Sequence, residues 1–68
     1  MKTDTIEFYE EPSKRPFLII DSSFQPADGD LVNIEGKTWL VLGRSFTVDY
    51  AGKETQSVRC NVIVRARD

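Results

Sequence analysis

Branched and aromatic side chains recur at every second position along much of this 68-residue chain. That rhythm is the period of a strand with one buried face. Residues 5–10 place Ile6 and Phe8 on one side, with Tyr9 out of phase with them. Residues 17–21 (Phe-Leu-Ile-Ile-Asp) carry an unbroken apolar run, which predicts a strand buried on both sides or shielded by a neighbour. Residues 30–35 and 37–42 alternate about Glu35-Gly36. A two-residue turn there sets Ile34 opposite Lys37 and Val32 opposite Trp39, and gathers Val32, Ile34, Trp39 and Val41 on one face. Gly43 marks a bend or bulge. Residues 44–50 alternate again, with Phe46, Val48 and Tyr50 against Ser45, Thr47 and Asp49. Over residues 57–66, Val58, Cys60, Val62 and Val64 point one way while Arg59, Asn61, Ile63 and Arg65 point the other, in phase with Arg67.

The connections are polar and turn-rich. Pro12 and Pro16 bound a loop that no central strand can cross, because proline lacks the ladder donor. Residues 22–30 and 51–56 carry the Gly, Asp, Ser and Pro of turns. No stretch shows the 3.6-residue period of an amphipathic helix of ordinary length. Strands near 5–10, 17–21, 30–35, 37–42, 44–50 and 57–66 therefore predict an all-β domain. The expected form is a small five-stranded, partly closed barrel, SH3-like or related, spanning 1–68 as one domain. An open meander that dimerises through a sheet edge is the other architecture this pattern allows.

Composition narrows the chemistry. The chain has no histidine and a single cysteine, Cys60, so no intrachain disulfide, Ser-His or Cys-His pair, or ordinary zinc cluster can be assembled from it. Cys60 falls in phase with valines and reads as a small core hydrophobe. We expect no cofactor, no metal and no enzymatic activity. The first five residues turn acidic before any apolar run, and the longest apolar run is far too short to cross a bilayer, so a cytoplasmic protein without membrane contact is expected.

Net charge is −2, which disfavours nucleic acid as a partner of the whole molecule. The ends differ, however. Residues 1–11 hold Asp4, Glu7, Glu10 and Glu11 against Lys2, a local sum of −3, and residues 57–68 hold Arg59, Arg65 and Arg67 against Asp68, a local sum of +2. The two ends attract each other, and the expected use of the arginines is to pair with the acidic end or to face water.

Three candidate sites follow, each with a plainer reading beside it. Asp28 and Asp30 flank Gly29, which is what a turn requires before a strand, and this reading prevails over a cation site because too few further oxygens follow at loop positions. Residues 23–32, with Ser23, Pro26, Gly29 and Asp30 before a strand, resemble the nucleophile region of the self-cleaving repressors and signal peptidases. That resemblance implies Ser23 as nucleophile and a lysine as base. Lys37 and Lys53 both fall at predicted turns, where nothing lowers a lysine pKa, so no peptidase function is expected. Among the aromatics, Trp39 and Phe46 are in phase with aliphatic residues and read as core, and Tyr9 and Tyr50 as surface.

What remains is an apolar surplus. Leu31, Leu40 and Leu42 lie on the far side of the hairpin, and Ile63 sits among Arg59, Arg65 and Arg67, where a single sheet's core does not absorb them. The expectation is a protein-interaction or assembly module that binds another protein or itself through these residues, as an accessory or particle-joining protein of a phage, mobile element or bacterium. The alternative is a nucleic-acid-binding barrel that reads phosphates with Arg44, Arg59, Arg65 and Arg67.

Overall fold

The structure, a computed structural model, describes residues 4–67; Lys2 and Asp68, counted in the charge sums above, lie outside them. It is all-β: β1 (Thr5–Glu10), β2 (Leu18–Ile20), β3 (Leu31–Ile34), β4 (Lys37–Gly52) and β5 (Thr55–Ala66) form a single sheet in the order β2-β1-β5-β4-β3. The sheet curls through 270° into a half-barrel. No helix among the described residues is long and apolar enough to cross a membrane.

The β3–β4 hairpin forms in the register the alternation predicts: Ile34 opposite Lys37, Asn33 opposite Thr38, Val32 opposite Trp39 and Leu31 opposite Leu40. Its turn needs positive φ at both central residues, as a two-residue loop matched to strand twist does. Glu35 adopts φ 51° and Gly36 φ 82°. Glycine takes that conformation freely, whereas the glutamate is strained there.

Two predicted strands, 37–42 and 44–50, are one. Gly43 does not end β4; a register shift between Val41 and Gly43 lets the strand run on against β5, with Val41 opposite Val64 and Gly43 opposite Ile63. A bulge absorbs an extra residue and bends the strand without breaking its pairing. The partner, β5, begins at Thr55 rather than residue 57. The run at 17–21 is also corrected. Only Leu18–Ile20 is strand, it lies at the sheet edge on β1, and Phe17 and Ile19 are exposed while Leu18 and Ile20 pack inward. An edge strand needs one apolar face, so the continuous run signalled burial that the topology does not supply.

The core lies on the inner face. Ile6 and Phe8 of β1, Trp39 and Val41 of β4, and Cys60, Val62 and Val64 of β5 are buried, with Leu18, Ile20, Val32, Ile34, Phe46 and Ala66 packed around them. β1 runs parallel to β5, placing Ile6 beside Cys60 and Phe8 beside Val62. Side chains close what hydrogen bonds do not. The Phe17 ring stacks on Trp39 at 4.9 Å between centroids, and the Lys37 ammonium sits 4.7 Å from the Trp39 ring, so the start of β2 meets the β3–β4 hairpin across the open seam. Burying each large core side chain contributes about 1.5–3 kcal/mol.

The strained turn yields a test. Replacing Glu35 with asparagine, which tolerates left-handed backbone, is expected to raise the unfolding free energy by up to about 1 kcal/mol in urea titration. An unchanged midpoint would show that the turn is not strained at this position.

Candidate interaction surface

Alternation gives the sheet a second face. On β5 it presents Arg59, Asn61, Ile63 and Arg65, on β4 Leu40, Ser45, Thr47 and Asp49, and on β1 Thr5, Glu7 and Tyr9, all set side by side by the ladder registers. This outer face divides into a polar half over β1, β5 and the later part of β4, and an apolar half over β3, the start of β4 and the end of β5.

The polar half is crossed by side-chain hydrogen bonds centred on Arg59, with the buried Thr5 hydroxyl left out of them. Glu7 is buried although it points outward, because Arg59 and Tyr9 flank it. The Tyr9 hydroxyl donates to Glu7 Oε1 at 2.8 Å, and Arg59 donates through Nη1 to Glu7 Oε2 at 3.4 Å and through Nε to Asp49 Oδ2 at 3.1 Å. Ser57 donates its hydroxyl to the same Asp49 oxygen at 3.4 Å, and Asn61 Nδ2 donates to Thr47 Oγ1 at 2.7 Å. Among the described residues, the charge attraction between the chain ends is thus realised between Glu7 and Arg59. Asp49, followed by the Glu7 contact, raises the Arg59 pKa further above its already high value, so the guanidinium is a permanent cation. Burial, then the hydrogen bond to the Glu7 carboxylate, pushes the Tyr9 phenol above its usual 10.0.

Beside this network the loop after β1, with a cis Glu11–Pro12 bond, borders a crevice of about 530 Å³. Tyr9, Lys14, Thr47, Arg59, Asn61 and Ile63 contribute to its lining. It offers hydrogen-bond donors and acceptors.

The apolar half gathers the leftover residues of the sequence. Leu31 pairs with Leu40, which pairs in turn with Arg65, so the three form a row across β3, β4 and β5. Leu42 occupies the bulge next to Gly43, whose partner is Ile63. Leu31 is 49% exposed and Ile63 43%, with Leu40 and Leu42 half-buried. Arg65 and Arg67 are exposed and meet no carboxylate among the described residues; the Arg67 N–H extends the ladder to the Thr38 carbonyl at 3.0 Å. Ile63 joins the two halves, since it also borders the crevice and stands opposite Tyr9.

The arginines do not form one stripe. Arg44 shares the inner face with Phe46, its guanidinium 5.8 Å from that ring, and Nη1 donates to the carbonyls of Gln25 at 3.1 Å and Pro26 at 3.5 Å. It fastens the 21–30 connection to β4. Arg59 is committed to Glu7 and Asp49, which leaves Arg65 and Arg67 on the apolar patch.

The other candidates resolve locally. Asp30 accepts the Ala27 N–H on its carboxylate at 2.8 Å and donates its own N–H to the Ala27 carbonyl at 3.0 Å about Gly29 at φ 88°, so Asp28-Gly29-Asp30 is the expected turn. Ser23 is exposed in the same connection, and Lys37 lies over Trp39. No group of three or more metal-binding side chains occurs among the described residues. Cys60 is fully buried opposite Phe46 and Ile6, and burial raises its thiol above the ordinary value against the opposing charge of Arg44.

Sequence reasoning missed the Tyr9–Glu7–Arg59–Asp49 network. Phase alone places Glu7 and Tyr9 outward, but the contact needs β1 beside β5, a pairing between residues more than fifty positions apart. Comparison with known protein families, curated proteins and solved structures finds no match to this chain.

Two measurements test these environments. The Tyr9 pKa is raised on folding, so its contribution to stability is complete below pH 10.0 and is lost as pH rises through the folded-state value. In Tyr50→Phe protein, where Tyr9 is the remaining tyrosine of the two, spectrophotometric titration is expected to give a midpoint above 10.0 in the folded state; a midpoint at or below it contradicts the buried contact. Cys60 is expected to resist a disulfide reagent at about pH 8 in the native protein and to react fully in denaturant.

Proposed function

We propose that the protein is a non-enzymatic interaction or assembly module that docks on another protein through the outer face of β3, β4 and β5. The observation that carries this reading is the contiguous patch of Leu31, Leu40, Leu42 and Ile63, apolar, partly exposed and flanked by Arg65 and Arg67. A mixed patch of this kind fits a protein surface that offers apolar side chains with carboxylates at its margin. The chain is small and its core modest, which suits a cytoplasmic accessory or particle-joining component of a phage, mobile element or bacterium, where a larger assembly supplies the remaining contacts.

Nucleic-acid binding is the second reading, favoured by the same two uncommitted arginines, Arg65 and Arg67. Its support is thinner. Arg44 and Arg59 are engaged within the molecule, and the net charge is −2. An enzymatic role has less support still, since the chain lacks histidine and its one thiol is buried.

Leu31→Asp with Ile63→Asp provides the test, because both positions are exposed enough to change without opening the core. In affinity capture from the source cells, the wild-type chain is expected to retain a defined protein that the double variant loses at least tenfold. Equal retention by both removes the patch from the interaction. A salt-dependent titration with oligonucleotide that shifts Arg65 and Arg67 resonances would transfer the assignment to the second reading.

A further inference from the structure

The β4–β5 hairpin is longer than the body it belongs to. β3 and the 28–30 turn cover the free edge of β4 only as far as Val41, through paired Gly29, Asp30 and Val41 backbone groups, and the described part of β1 reaches β5 only as far as Val58, through Asp4. Beyond these limits the two strands project as an arm, in a molecule 44 Å long and about 20 Å across. The inner face of the sheet continues onto this arm without cover. Val48 is 62% exposed and Tyr50 66%, both in phase with the half-buried Phe46. Among the described residues, the backbone of β4 along 44–52 pairs with β5 alone. The Val48 and Tyr50 side chains and the outer backbone edge of the same short segment are therefore left without a partner among the described residues.

We infer that this window of β4 is a self-pairing edge through which two copies of the chain join antiparallel into a continuous sheet. Three features select a second copy as the occupant. The window runs from Arg44, where the protein's own loop is fastened, to Gly52 at the turn, and its midpoint is Val48. A two-fold axis there uses every free position on both copies, and it lets the two bodies lie at opposite ends of the paired arms. The same axis sets Val48 against Val48 and Phe46 against Tyr50, apolar on apolar, and Thr47 against Asp49 on the other face. Charge is compatible with self-pairing. Asp49 is the one charged residue between Ser45 and Gly52, and it is neutralised by Arg59 of its own chain, so no like charges oppose across the seam. The window also lacks the lysine and proline with which edge strands ordinarily block such pairing. The contact is made along one edge, which belongs to the smaller class of interfaces and calls for a wide concentration range.

The inference does not depend on the outer patch, and the experiment separates the two. Sedimentation of the full chain from about 1 µM to about 1 mM is expected to show the weight-average mass rising toward double, with amide exchange of residues 46–50 slowing in step. Val48→Lys, on an exposed position that removes nothing from the core, is expected to stay at the monomer mass throughout with an unchanged far-ultraviolet spectrum. Leu31→Asp on the outer patch is expected to dimerise like the wild type. A wild-type chain that remains monomeric at the top of the range overturns the inference. So does a dimer that survives Val48→Lys, or one that dissolves with Leu31→Asp.

Discussion

The antiparallel ladder between β4 and β5 is the constraint from which the rest of the molecule follows. Its inner face supplies Trp39, Val41, Cys60, Val62 and Val64, against which β1 lays Ile6 and Phe8. Because side chains alternate strictly, the same ladder presents Leu40, Thr47, Arg59, Asn61, Ile63 and Arg65 on the outside. A slip of one residue between the strands would exchange valine for asparagine, isoleucine and arginine in the core. In a chain of this size, whose margin of stability is thin, that exchange is not survivable. The register is held at one end by the bulge at Gly43 and at the other by the turn after Gly52.

The outer face shows how the same charges acquire different roles. Arg44, Arg59, Arg65 and Arg67 are alike in sequence, yet one fastens a loop by its carbonyls, one neutralises two carboxylates, and two flank the leucine patch. The last pair makes no ion pair with a carboxylate among the described residues. The buried Glu7 explains part of this economy, since a carboxylate withdrawn from water requires a cation and a donor close by, and Arg59 and Tyr9 supply them.

Several features were legible beforehand for identifiable reasons. The hairpin at Glu35-Gly36 was readable because a two-residue turn dictates its own register. The burial of Cys60 followed from its phase with Val58, Val62 and Val64. The leucine patch was visible as apolar residues on the wrong side of an alternating strand. The misreadings were equally local. Gly43 resembles a strand end because glycine weakens strands, but here the neighbouring ladder carries β4 through it. The 17–21 run resembles a doubly covered strand because all four of its apolar side chains are adjacent, but among the described residues no strand lies beyond β2, and Phe17 and Ile19 stay exposed.

Local pattern determined that this polymer is all-β, which face most strand residues take and where the Glu35-Gly36 turn falls, because each depends on backbone geometry over a few neighbouring positions. Tertiary structure decided that β1 lies parallel beside β5, that Glu7 meets Arg59, that Arg44 turns away from the other arginines, and that the end of the long hairpin is left bare. Those outcomes depend on which distant segments come to lie side by side and how far each one reaches. The closing of long chain loops sets both, and no local pattern of residues encodes it.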